Sequence, residues 1–434
     1  MTLREHAIAI WQAGVNAVQP AKLVADAVRN LGASTRQAIE KAPRIVIVGA
    51  GKAGAAMAEA LEANLPQCLP NMHGLVNVPE GSTADTKRIR LHPARPAGVN
   101  FPTAAGVAGS EEMLRLLESS GPDDVAICLI SGGGSALLPA PAEGITLEAK
   151  LAVTKLLHAS GATIQEMNAV RKHLSRIKGG RLAQAFRGRL LLSFVISDVI
   201  GDPLDAIASG PTAPDPTTFA ECREILEKFE LWSECPVEVR EQLEAGMAGR
   251  IPETLKTMPD SVRNILIGNN ATALEAAAAK ARSLGYHILN NGVSLAGEAR
   301  TAGADLGLLR SLRNSKARTC ILAGGETTVT LGSNPGKGGR NQEFVLAALC
   351  ELQENELPGT VILSGGTDGE DGPTDAAGAI ADEQTFRRMK ELNLDPADFL
   401  HRHDAYPFFE ATGGLLKCGL TGTNVMDVAV SLIE

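Results

Sequence analysis

The chain has 434 residues, 44% hydrophobic and 21% charged, too long for one ordinary core and ordinary for a globular protein, so two α/β domains are expected. Its net charge of −9, with no long basic stretch to offset it, argues against a nucleic-acid partner but leaves room for small anions held in a local nest of cations and backbone N–H groups. No run approaches the ~20 apolar residues of a membrane span, and the opening segment, carrying Glu5 and broken by Gln12, Gly14 and Asn16, lacks an export pattern, so a cytoplasmic protein without membrane attachment is expected.

The first forty residues read as amphipathic helices, with Ile8, Trp11, Val15 and Val18 at helical spacing. A β-branched run over 44–48 leads at once into glycines and an Ala-rich helix through Leu61: a strand, a tight turn and a helix. Further buried strands are expected at 73–78, 125–130, 190–196, 262–267, 286–289, 319–323 and 360–363, with a short one at 327–331. Helical patterns cover 103–118, 146–159, 217–230, 271–284, 294–312 and 341–354, and a last helix is expected over 425–433. Such alternation implies parallel sheets with helices on both faces. The polar stretch 248–262, with two prolines, divides the chain into a first domain, 1–247, and a second, 262–434. The opening helices could pack on either. The seven cysteines are scattered, odd in number and free of metal-ligand spacing, the pattern of free thiols in a reducing compartment.

Chemistry concentrates where apolar strands run into glycines. Gly49-Ala-Gly51-Lys52-Ala-Gly54 satisfies G-x-G-x-x-G between strand and helix, which by itself suggests a dinucleotide fold. Yet the second strand ends in Asn77-Val-Pro79 rather than in an acid for a ribose hydroxyl, and Lys52 puts a cation where the helix dipole already attracts anions. After the strand ending at Ile130 come Ser131, Gly132, Gly133, Gly134 and Ser135, whose backbone N–H groups can converge on phosphate oxygens. Arg171, Lys172, His173, Arg176, Lys178 and Arg181 form a basic cluster that is either a solvated helix face or, in part, a seat for a substrate carboxylate. Asp198, just past a buried strand, is placed to hold Mg²⁺ or to accept a hydroxyl proton, whereas Asp202 and Asp205 suit turns equally well.

In the second half, Gly324-Gly-Glu326 and Gly336-Lys-Gly-Gly-Arg340-Asn-Gln-Glu343 bracket the short strand and deliver Arg340 at the start of a helix, where a guanidinium can bridge a transferring phosphoryl group. Asn341 could instead cap that helix. Gly365, Gly366, Asp368, Asp371 and Asp375 lie in a third strand-then-glycine segment that fits Mg²⁺ or nucleotide phosphates better than calcium. Thr421-Gly-Thr-Asn424 reads first as the N-cap of the last helix and second as an anion contact. No Walker A motif or protein-kinase set is present. One reading is an NAD(P)-dependent hydroxypyruvate reductase resting on the G-x-G-x-x-G alone. It leaves the other glycine loops unexplained.

In order and content, the motifs at 49–54, 131–138, 168–180, 197–212, 324–343, 365–375 and 419–424 resemble the class II glycerate 2-kinases, the MOFRL family, some of whose members carry a hydroxypyruvate reductase label. The resemblance runs from about residue 5 to the C-terminus. It implies a Rossmann-like N-terminal domain, a smaller C-terminal α/β domain and an active site between them. It also implies ATP, Mg²⁺ and D-glycerate, with 2-phosphoglycerate as product. Lys52 and Arg340 would be the catalytic cations, with Asp198 beside them. Ser131, Gly132, Gly133, Gly134, Ser135, Gly365, Gly366 and Asp368 would hold nucleotide, Asp198 and Asp368 the metal, and Gly51, Arg171 and Lys172 the substrate. A second copy of the chain is a further candidate partner. One departure stands out: Lys417-Cys-Gly-Leu420 precedes the last threonine motif, where the family often has a proline.

Overall fold

Three strands, β1 (Ile45–Ala50), β4 (Val125–Ile130) and β5 (Leu190–Ile196), are buried along their whole length, as strands covered on both faces must be, which is why they read as unbroken apolar runs. With β2 (Met72–Pro79), β3 (Ile89–Arg95) and β6 (Val262–Gly268) they form a sheet in the order β3-β2-β1-β4-β5-β6. Strands β1 to β5 are mutually parallel where they pair. The computed structural model describes residues 1–96, 101–289, 294–307, 318–352 and 358–434. The order of the strands reverses between β1 and β4, and the C-terminal ends of the strands at such a switch point are the general ligand site of open α/β sheets. The expected Rossmann-like sheet is therefore present.

This sheet belongs to one compact unit, Pro20–Ile267. The helix Ala104–Glu118 closes one side through Met113, Leu114 and Leu117, which join Val46, Val48, Leu75 and Cys128 in a shared core. Four helices, Leu147–Ala159, Ile164–His173, Phe219–Lys228 and Val237–Met247, build a second core of their own around Val153, Val170, Phe219 and Leu243.

The other unit joins Met1–Gln19 to Gly268–Glu434. Its strands are β7 (His287–Leu289), β8 (Ser294–Leu295), β9 (Thr319–Gly325), β10 (Thr360–Gly366), β11 (Gly378–Asp382), β12 (Leu415–Leu416) and β13 (Asp427–Ile433). They pair in the order β12-β11-β10-β13-β9-β7, with β8 beside β9. This sheet is mixed: β13 runs antiparallel to both β9 and β10, and β10 to β11, while β7 and β8 run parallel to β9. The expectation of parallel sheets throughout thus holds only for the first one.

Two sequence-based elements change type. Residues 425–433, expected to be the last helix, instead supply β13 at the centre of the sheet, every residue buried. The segment has seven paired residues rich in Val and Leu, and the two open strand edges of β9 and β10 outweigh its helical spacing. Residues 327–331 form no strand, only a single bridge from Thr328 to Glu298. The end of the helical pattern at 294–312, residues 308–312, lies outside the described residues, as do 353 and 354 of the pattern at 341–354.

The division of the chain also differs at its start. The sequence places 1–247 in one domain, but the helix Leu3–Ala17, held at its head by a Thr2–Glu5 capping box, goes with the C-terminal unit. Its buried face carries Ile10, Trp11 and Val15. Trp11 Nε1 donates to Gly365 O at 3.0 Å, and Arg4 grips Asp382 through two bonds of 2.6 and 2.8 Å. Trp11 is fully buried. Trp11→Ala is expected to destabilise this unit by about 3–5 kcal/mol, read as a lowered midpoint in denaturant unfolding. An unchanged midpoint would mean that the helix is not integral to the unit.

Candidate active site

The turns after β1 and β4 are laced together. The β1–β4 register sets Ala50 beside Ile130, so Gly51 and Ser131 leave their strands side by side. A Cβ on Gly51 would sit 1.9 Å from Ser131 Oγ, and one on Gly49 would sit 2.1 Å from Leu129 O, so only glycine fits either place. Ser131 Oγ accepts the Ala53 N–H at 3.1 Å, and the Lys52 N–H donates to Gly132 O at 2.8 Å. Gly54 lets its helix close on β2, where a Cβ would meet Val76 at 2.8 Å. At the end of β2, Asn77 is fully buried and its amide donates to Gly106 O and Leu137 O at 3.2 and 2.7 Å. It therefore serves the packing of the turn rather than facing a ribose.

Cations gather at both ends of the 131–135 loop. Gly133 has φ 75°, and a Cβ there would lie 3.3 Å from Arg95 Nη2 and 3.4 Å from Lys52 Cγ. Arg95, which the sequence reading did not single out, comes in from the end of β3 and is buried, and that burial lowers its pKa. At the far end Ser135 meets Arg171 and Lys178: Arg171 Nη2 donates to Ser135 Oγ, and Lys178 Nζ donates to Ser135 O and Oγ at 2.9 and 2.8 Å. Burial, and then the charges of Arg171, Lys150 and Lys172, hold the Lys178 ammonium well below its ordinary pKa. Lys150, buried against Leu174 O at 3.0 Å, is brought down to about 7 by burial and by Arg171. A 690 Å³ cavity in the same unit is lined by Ala104, Glu111, Pro141, Glu143 and Arg176 and by none of the loop residues at 49–54 or 131–135.

The neighbours of Arg171 in sequence turn elsewhere. Lys172 is buried between Asp215 at 3.2 Å and Asp205 at 3.1 Å, which occupies the charge that the sequence reading offered to substrate. His173 sits at 3.0 Å from Glu253 and edge-on to Phe219, and Arg176 pairs with Glu111 at the surface. Asp198 stands half-buried two residues past β5, and Asp202 has the left-handed backbone of a turn residue, φ 55°.

In the other unit the antiparallel register brings three glycine-rich ends together. Asp427, first residue of β13, pairs with Gly325 on one side and Gly366 on the other. Its carboxylate takes Arg340 Nε and Nη2 at 2.6 and 2.8 Å, while Arg340 Nη1 lies 3.1 Å from Glu326. Burial works against the Arg340 charge, but Asp427, with Glu326 and Asp371, holds its pKa above the ordinary value. A Cβ on Gly366 would come within 3.0 Å of Asp368 Oδ1 and 3.5 Å of Asp427 Oδ1. Asp371 caps a helix from a distant loop. Its two oxygens accept the Asn341 and Gln342 N–H groups at 3.0 and 2.8 Å, at the start of the helix Arg340–Glu351. Burial raises its pKa to about 6. Thr421 caps no helix; it ties the last loop to the third glycine segment by donating to Thr367 O at 2.6 Å.

Among the described residues no group of three or more His, Cys, Asp or Glu side chains forms a metal cage. Mg²⁺ needs no such cage: it is commonly bound by one or two carboxylates plus substrate phosphates, so Asp198 and Asp368 are of the right chemical type to hold it.

A parallel sheet with cation-flanked glycine turns at its switch point, together with a second glycine-rich α/β unit, defines a two-unit α/β protein of the kind that binds small ligands at strand ends. Residues 6–244 match the family described as a domain of unknown function, DUF4147, and residues 319–427 match the MOFRL family. A protein of Pyrococcus horikoshii named glycerate 2-kinase is 37% identical, over 100% of this chain and 98% of its own. An Agrobacterium vitis protein provisionally named hydroxypyruvate reductase is 42% identical, over 90% of this chain and 99% of its own. The solved glycerate kinase of Thermotoga maritima superposes with a TM-score of 0.85 at 34% identity, covering 100% of this chain and 99% of that one. The chain belongs to the DUF4147–MOFRL glycerate kinase family.

The buried Lys172–Asp215 pair makes a direct prediction. Asp215→Asn leaves an ammonium that is 3% exposed with Asp205 as its remaining acid partner and is expected to destabilise the unit by about 1–3 kcal/mol. Burial pushes the Asp215 pKa up, but Lys172 and the Thr217 bonds outweigh it and leave the pKa below 3.8. A depressed carboxylate stabilises above its unfolded pKa and loses that contribution as pH falls through the folded one. The wild type should therefore lose stability below about pH 4 more steeply than Asp215→Asn, as measured by thermal unfolding across pH.

Proposed function

We propose that the protein transfers the γ-phosphoryl group of ATP to the 2-hydroxyl of D-glycerate, giving 2-phospho-D-glycerate and ADP. The observation that carries this reading is the collection of Lys52, Arg95, Arg171 and Lys178 around one glycine loop at the switch point of the sheet, in a chain of net charge −9. Local cations of this kind matter more to an anionic ligand than a diffuse opposite field. Full-length likeness to proteins named glycerate kinase supports the substrate class.

In the proposed reaction the glycerate 2-oxygen bonds to the γ-phosphorus as the bond to the β,γ-bridging oxygen breaks. That oxygen leaves with the electron pair on ADP. The hydroxyl proton passes to Asp198. Lys52, reaching from the turn after β1, balances charge on the equatorial oxygens, and the 131–135 loop offers N–H groups to phosphate; in its own unit, Arg340 and the N–H groups of the 365–368 loop are the groups offered to phosphate. Asp198 or Asp368 would hold Mg²⁺, whose chemistry there would be to neutralise the phosphate chain further. Gly51 keeps its turn close to the substrate, and Arg171 contacts the acid; Lys172, committed to two aspartates, orders the helix that presents Arg171.

The reductase reading has weaker support. It needs an acceptor for a ribose hydroxyl after β2, where Asn77 is 0% exposed and its Nδ2 is committed to backbone carbonyls.

An assay coupling enolase and pyruvate kinase to purified protein, MgATP and D-glycerate tests the reading. Signal without added phosphoglycerate mutase is expected. Signal only with the mutase would assign the 3-isomer, and oxidation of NAD(P)H by hydroxypyruvate without ADP formation would favour the reductase. Lys52→Ala is expected to lower kcat by ~10³-fold without changing the unfolding midpoint. Arg340→Ala should lose kcat similarly, but it also strands Asp427, 1% exposed, and should cost about 3 kcal/mol of stability. The double variant with Asp427→Asn should recover that stability and not the activity. Near-normal turnover in Lys52→Ala or in the double variant would remove that cation from the mechanism.

A further inference from the structure

Lys178 is 2% exposed, yet its hydrogen bonds go to Ser135 O and Oγ and, at 3.4 Å each, to Ala208 O and Ser209 Oγ. Arg171 donates to the same Ser135 Oγ and to Asn168 Oδ1 at 3.2 Å. Ser135 Oγ and Ser209 Oγ stand 3.1 Å apart, and Ser209 Oγ donates to Asn168 Oδ1 at 3.3 Å. Two cations thus converge on one hydroxyl, and among the described residues no carboxylate pairs with either. Lys172, close by in the chain, is by contrast paired to two aspartates, and Lys150, also buried, donates to Leu174 O.

Burying adjacent like charges without a counter-ion is unfavourable. The backbone adds to the expense at the same spot: Ala208 and Ser209 both take left-handed φ angles, 51° and 61°, which cost roughly 1–3 kcal/mol each for residues other than glycine. Strain and uncompensated charge persist together where a ligand supplies what is missing. What is missing is one negative charge, within reach of a guanidinium fork, an ammonium and two hydroxyls, a donor set that matches a carboxylate.

We propose that Arg171 and Lys178, with Ser135, Ser209 and Asn168, form a buried carboxylate seat that holds the acid group of the hydroxy-acid substrate. The proposal rests on the kinase reading above and adds Lys178, Ser209 and Asn168 to the substrate site. The 131–135 loop then has a division of labour: its Ser135 end binds the carboxylate, and its Gly133 end, flanked by Lys52 and Arg95, faces the phosphoryl group. A hydroxyl on the carbon next to the carboxylate reacts in preference to one a carbon further away, and substrates without a carboxylate are rejected because the two cations stay unpaired.

The test compares wild type with Lys178→Met, a change of similar length that removes a buried charge, and with Arg171→Gln at the less buried position. Losing one charge-assisted bond should raise KM for D-glycerate roughly 10–100-fold in each variant. KM for ATP should stay within about twofold, and the preference for D-glycerate over glycerol should collapse by a similar factor. KM values for D-glycerate unchanged in both variants, or ATP KM rising in step with them, would overturn the seat. A wild type that does not phosphorylate D-glycerate would refute the kinase reading instead. Calorimetric titration of D-glycerate without nucleotide then decides: equal affinity in wild type and variants overturns the seat, and affinity lost in both variants supports it.

Discussion

The turns after β1 and β4 approach so closely that a Cβ at Gly51 would fall 1.9 Å from Ser131 Oγ. That approach fixes the Lys52 N–H on Gly132 O and the Ser131 hydroxyl on the Ala53 N–H, so each turn is the other's support. The positions of Lys52, Arg95 and Gly133 follow from it, because all three meet where the two turns meet. A side chain at Gly49 or Gly51 would push the turns apart and disperse the cations, although neither glycine carries any chemistry of its own.

The second unit solves a similar problem with register. Placing β13 antiparallel between β9 and β10 sets Asp427 opposite both Gly325 and Gly366. From there its carboxylate fixes the Arg340 guanidinium. An arginine so anchored is pre-organised, with two of its donor nitrogens spent on Asp427 and its plane held. Asp371 completes the arrangement by capping the helix that begins at Arg340. The acids of this unit therefore divide between holding a cation, ending a helix and, at Asp368, facing Gly366.

Much of this was legible in the sequence, and the parts that were not have definable causes. Strands β1, β4 and β5 announce themselves through unbroken apolar runs, and the glycine loops after β1, β4 and β10 mark their ends, whereas β3, with polar residues in its middle, was not expected as a strand. Arg95 escaped notice because it ends a strand whose exposed and buried residues do not alternate cleanly. Asp427 was hidden inside a segment whose spacing suits a helix as well as a strand. Lys178 was visible as part of a basic cluster, but nothing in the order of Arg171, Lys172 and Lys178 says which one is paired with an acid.

The sequence by itself determined the local geometry: where the buried strands end, where glycines and cations follow them, and the family to which the motifs point. Only the tertiary structure decided the partners. It gave Lys172 two aspartates and Lys178 two serines, sent the helix Leu3–Ala17 to the unit at the other end of the chain, and turned residues 427–433 into a central strand. The physical reason is range. Backbone preference and turn chemistry act over a few residues. Charge pairing, strand insertion and burial instead depend on groups that folding brings from tens to hundreds of positions away.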